Sequence, residues 1–121
     1  MAAATFGNTT ANALLDVVGS TGVYASLHSG APSTTGANEL SGDGYAREAV
    51  AMSEASARAS ANEGAVTFGP ATGDWVAATH FGLWTAVSGG TFIAGGALTT
   101  PRTVSNTESA SFGVGDLALS A

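Results

Sequence analysis

The chain has 121 residues, a formal net charge of −6, three arginines, no lysine and no cysteine. Without cysteine there are no disulfides and no thiolate metal sites. Three scattered cations against nine acids disfavour both duplex nucleic acid and an anionic membrane as partners, because each needs a cluster of basic groups. Charged residues make up 10% of the chain, far below an average domain, which points to a surface covered in an assembly.

No run reaches the length of a membrane span, and Met1–Thr5 lacks the basic start of a secretory signal. Residues 1–7 read as an apolar, small-residue arm with Phe6 as its one anchor, and residues 8–121 as a single β-rich domain. Asn8 or Thr9 is placed to cap a short helix over Thr10–Val18, which Gly19 ends. This arm and helix either lie over one end of a sheet or dock on a neighbouring subunit. Gly22–Ser29 alternates as a strand, with Val23, Ala25 and Leu27 on one face and Tyr24, Ser26 and His28 on the other.

Gly30–Gly44 is long for a hairpin, so it reads as an exposed functional loop or an inter-sheet crossover. Its glycines permit positive φ, and Asn38, Ser41 and Asp43 can bond their own backbone. Tyr45–Met52 alternates as a second strand, and Ser53–Gly64 has no deciding pattern. Further strands are expected at Ala65–Gly69, Thr79–Thr85, Thr91–Leu98 and Ser109–Val114, with a last short one at Leu117 and Leu119. Ser88-Gly89-Gly90 is the hairpin turn between two of them, and Gly95-Gly96 marks a bulge or a close backbone approach. About seven or eight strands at turn spacings of about ten residues predict a mainly β fold, an antiparallel sandwich or a jelly-roll-like barrel with one N-terminal helix.

Little in the chain looks catalytic. His28 and His80 stand in no HxH or HExxH spacing, so each reads as a satisfied or exposed structural histidine. No serine sits in a G-x-S-x-G elbow, and Asn38, Glu39 and Asp43 are too few and too loosely spaced for a calcium motif. Catalytic residues, metal ligands and cofactors are therefore all expected to be none. Tyr24, Tyr45, Trp75 and Trp84 offer material for a carbohydrate platform, but core packing accounts for Trp84 together with Phe81, Phe92 and Phe112. Trp75, beside Asp74 at a turn, is the candidate for an exposed anchor. With so few cations, each arginine is expected to own a carboxylate, Arg47 pairing with Glu39, Asp43 or an acid on a neighbour. The interaction residues singled out are Phe6, Asn38, Glu39, Asp43, Tyr45, Arg47, Trp75 and Arg102.

Three stretches carry a family resemblance. Thr35-Gly36-Ala37-Asn38-Glu39-Leu40-Ser41-Gly42-Asp43-Gly44-Tyr45-Ala46-Arg47 resembles a "TGANE(V/L)SGGGYAR" segment. Thr79-His80-Phe81-Gly82-Leu83-Trp84, before Ala86-Val87-Ser88-Gly89-Gly90, resembles "THFGL(W/F)" followed by an "A–SGG" turn. Gly96-Ala97-Leu98-Thr99-Thr100-Pro101-Arg102-Thr103-Val104 resembles "GALTTPKTV", with Arg102 in place of lysine. In order and spacing they are similar to a family of small tailed-phage virion proteins, described as tail-fibre-like or capsid-associated. The resemblance implies a non-enzymatic virion protein assembled in the bacterial cytoplasm. A lone compact domain favours a capsid cement or decoration protein, on the capsid surface, bound to the major capsid protein and to copies of itself. The alternative is a tail-fibre or tail-tip component, with tail proteins or a host-surface glycan as partner.

Overall fold

A computed structural model describes residues 4–20 and 22–120. Among these residues one helix, α1 (Asn8–Ser20), precedes eight strands: β1 (Val23–His28), β2 (Glu48–Val50), β3 (Ala59–Ala61), β4 (Val66–Phe68), β5 (Ala78–Trp84), β6 (Phe92–Arg102), β7 (Ala110–Phe112) and β8 (Ala118–Ser120). All the pairings are antiparallel. Four strands form a sheet in the order β2-β1-β5-β6, while β3-β8 and β4-β7 form two short ribbons. The mainly β expectation holds, as does the single helix; of its two forms the barrel is not the one adopted, since the described strands close no ring.

Alternation explains how the core forms. Ala25 and Leu27 on β1 meet Leu83 and Phe81 across the strand boundary, and this face joins Val66, Phe68, Ala110 and Phe112 of the β4-β7 ribbon in one buried cluster. Burying such side chains stabilises by roughly 2 kcal/mol each. The opposite face of the same strands carries Ser26, His28, Gly82 and Trp84, with Ser26 directly across from Gly82. That face is covered by the connection from β1 to β2, in which Pro32 and Gly36 are buried.

The helix starts two residues earlier and runs two residues further than its sequence pattern suggests. Its first bond runs from the Ala11 N–H to the Gly7 carbonyl, so Gly7 occupies the cap position expected of Asn8 or Thr9. Asn8 instead accepts a bond from Arg58. Ala11 and Leu15 are buried, and two polar stitches fix the helix to the segment before β3: Asn12 accepts from the Arg58 N–H and Asp16 from the Ala55 N–H. The uninterpretable Ser53–Gly64 stretch holds a tight hairpin turn, with Ala57 and Arg58 both at positive φ.

Gly30–Gly44 is not an inter-sheet crossover, because the strands it joins are neighbours in one sheet. It folds back along β1, where Ser29 donates to the Asn38 carbonyl, Leu40 donates to the Leu27 carbonyl and His28 pairs with Glu39. The second strand begins at Glu48 rather than Tyr45. A turn from Gly42 to Tyr45 and the pull of Tyr45 and Arg47 toward Glu39 hold those residues off the ladder. In β6, Ile93 is an extra residue between the pairs Leu83–Ala94 and Trp84–Phe92, a bulge just before the glycine pair.

Candidate functional site

Glu39, Tyr45 and Arg47, eight residues apart at most, converge where the long loop meets β2. The Arg47 fork is bidentate, Nε donating to Glu39 Oε2 and Nη2 to Oε1, both at 2.9 Å. Its remaining nitrogen donates to the Ala86 and Gly89 carbonyls at 3.0 and 2.8 Å, which ties the loop to the β5–β6 turn. The guanidinium lies 3.7 Å from the Trp84 ring centroid. The Tyr45 hydroxyl donates to Glu39 at 2.9 Å and accepts the Leu27 N–H at 3.0 Å, standing in for a missing backbone acceptor on β1.

The pair is largely sheltered, with 9% of the Arg47 side chain and 20% of Glu39 exposed. Burial would raise the Glu39 pKa, but the bonds from Arg47 and Tyr45 outweigh it and hold the carboxyl below its ordinary value. Burial pushes the Tyr45 phenol far up, so it stays a neutral donor. This site carries an anion that is already neutralised.

A second network lies against the first. Trp84 Nε1 donates to Ser26 Oγ at 2.9 Å, Ser26 Oγ lies 2.7 Å from His28 Nε2, and His28 Nδ1 lies 2.7 Å from the Ala37 carbonyl. The directions follow from the partners. A carbonyl only accepts, so Nδ1 carries the proton in the neutral ring, and the Ser26 hydroxyl donates to Nε2. Ser26 and His28 are fully buried. The room comes from Gly82, where a Cβ would stand 2.7 Å from Ser26 Oγ and 2.8 Å from His28 Nε2.

The other singled-out residues are scattered. Trp75 is not an exposed anchor: it is 7% exposed, edge-on to Tyr45 at 5.6 Å, with its indole N–H donating to the Asp43 carbonyl. The turn at Asp74 points it inward, because the Trp75 N–H bonds the Val104 carbonyl and draws this segment onto the core. With Trp75 and Tyr45 inside and Trp84 under Arg47, the four aromatics form no exposed platform. Asp43 and Asn38 are exposed, both at positive φ, and Asn38 donates to the Ala31 carbonyl. Phe6 is exposed, with its carbonyl accepting from Arg58. Among the described residues Arg102 pairs with no carboxylate: it sits 4.5 Å over the Phe112 ring and donates to the Ser111 carbonyl. Glu39, Asp43 and Asp74 line one depression, but Glu39 is spent on Arg47 and Tyr45, and Asp74 accepts from the Asn106 N–H. Among the described residues no group of three His, Asp or Glu side chains is placed to hold a metal ion.

Sequence patterning alone does not single out Ser26 or His28 as site residues. The available signal was their alternation with Ala25 and Leu27, which puts two polar groups on one strand face.

The family model described as "Podophage GP4 fiber I protein gp80" matches residues 3–120, and the chain belongs to that family. No curated protein matches it. The match makes the chain a phage fibre-like virion protein, and it speaks for the tail-fibre alternative more than for capsid decoration.

Proposed function

We propose that this podophage fibre-family member is a non-enzymatic subunit of the tail fibre that assembles with copies of itself and presents the Gly30–Gly44 loop to a host-surface glycan. The family match over residues 3–120 is the observation that carries this reading. The loop supports it. Its outward side offers Ser33, Thr34, Thr35, Asn38 and Ser41, all exposed, a set of hydroxyls and an amide suited to sugar hydroxyls. Beneath them the Glu39–Arg47 pair and the His28 network hold the backbone in place, so little ordering entropy remains to be lost on binding. A glycosidase acid needs a raised pKa in a carboxyl that faces another, whereas Glu39 is held as an anion by arginine.

Copy number tests the location. Quantitative mass spectrometry of purified virions against the major capsid protein is expected to give from three to about a dozen copies, the low cyclic symmetries of tail assemblies. A stoichiometry on the order of hundreds would return the chain to the capsid shell as a cement protein and sink the fibre reading.

A further inference from the structure

We propose that the Trp84–Ser26–His28–Ala37 hydrogen-bond chain is an acid-sensitive latch that holds the Gly30–Gly44 loop on the sheet, and that a second proton on His28 releases it. The bonds run in one direction only while the ring is neutral. Trp84 donates to Ser26, Ser26 donates to His28 Nε2, and His28 Nδ1 donates to the loop carbonyl of Ala37. A proton added at Nε2 turns that atom into a donor aimed at the Ser26 oxygen. The Ser26 hydrogen, which His28 Nε2 accepts while the ring is neutral, then loses that acceptor. A buried donor without an acceptor is costly, and so is the new cation, since His28 is fully enclosed.

The charged and titratable neighbours do not relieve it. Glu39, from the loop, favours the cation, but both its oxygens are already taken by Arg47 and Tyr45. Arg47, ahead of β2, and His80, across from His28 on β5, both disfavour it. Burial is the largest influence and also favours the neutral ring. Opening the loop is the direct way to hydrate the cation, because the loop is what covers this face. Gly36 touches the Trp84 ring so closely that a Cβ there would lie 2.4 Å from it. Lifting Ala37 and Gly36 exposes the imidazole and the indole together.

Hydrogen exchange of the full chain at about pH 7.5 and about pH 5, with rates corrected for intrinsic pH dependence, tests the latch. Protection of amides between residues 30 and 44 is expected to fall at least about tenfold, while β5 amides stay protected. His28→Asn keeps a donor for the Ala37 carbonyl and cannot titrate, so it is expected to abolish the pH effect; His80→Gln is expected to leave it. Should His28→Asn fail to fold, the wild-type imidazole read by nitrogen-15 NMR replaces it. The expected spectrum is the Nδ1–H tautomer, titrating together with the Ala37 and Gly36 signals. Equal loop protection at both pH values, a pH effect that survives in His28→Asn, loss of protection across the whole sheet at one midpoint, or the other tautomer would each overturn the proposal.

Discussion

Tyr45 fills a gap in a β ladder with a side-chain oxygen. β1 has backbone partners at Val23–Ala25 on β2 and again at Leu40, and between them the Leu27 N–H has the phenol. Tyr45→Phe keeps the ring packed on Phe68 and Trp75 but strands that donor, so it is expected to cost about 1–3 kcal/mol in urea unfolding. A cost within the noise would mean that water or a shifted backbone replaces the phenol. Arg47 and Arg102 make a sharper comparison, since both stack on an aromatic ring. Arg47 also makes two bonds to a sheltered carboxylate and two to carbonyls. A lysine reproduces the charge and not the fork, so Arg47→Lys is expected to cost about 2 kcal/mol and Arg102→Lys less than about 1 kcal/mol. Equal losses would show that stacking, not the fork, sets the value.

The long loop is the element on which the site depends, and Gly36 is its tightest point. Its φ is +76° and a Cβ would come within 2.4 and 2.5 Å of two Trp84 ring atoms. Gly36→Ala combines a left-handed penalty of about 1 kcal/mol with overpacking of about 1–3 kcal/mol. Thermal unfolding is expected to show the sum, with the loop amides losing protection first; an unchanged melting temperature would mean the loop does not rest on Trp84. The loop's turn residues and its position before a strand were readable from local chemistry, as were α1, the β5–β6 hairpin and the opposed faces of Phe81 and Trp84. These depend on residues close in sequence. Pairing register does not, and the site depends on register. Ser26 opposite Gly82, and Glu39 folded back beside His28, follow from which strands meet and where. Trp75 misleads for the same reason: a tryptophan beside an aspartate at a turn looks exposed until the bond from its N–H to the Val104 carbonyl, in the loop after β6, turns it inward.

For the whole molecule, acid acts through two opposing influences whose signs can be separated. Acidification from neutral pH reduces the net charge from −6 toward zero near the pI of 4.4, which relieves self-repulsion and favours the folded state. That repulsion is spread over the surface and screened within about 8 Å at physiological salt. His28 and Glu39 act locally and in the other direction. The folded state lowers the His28 pKa below 6.5, so its neutral form contributes fully above 6.5 and loses that contribution as pH falls through 6.5 toward the folded value. Glu39 is also lowered, from 4.5, so its contribution is present above 4.5 and is lost as pH falls through its folded value. The melting temperature is therefore expected to be level above about pH 7, to decline below about 6.5, and to decline further below about 4.5, where the uncharged molecule also associates. Scanning fluorimetry from about pH 8 to about pH 4 reads both branches. His28→Asn should remove the upper branch and leave the lower. A melting temperature that rises on acidification would show that net repulsion outweighs both buried groups, and an upper branch intact in His28→Asn would assign it to a group other than this histidine.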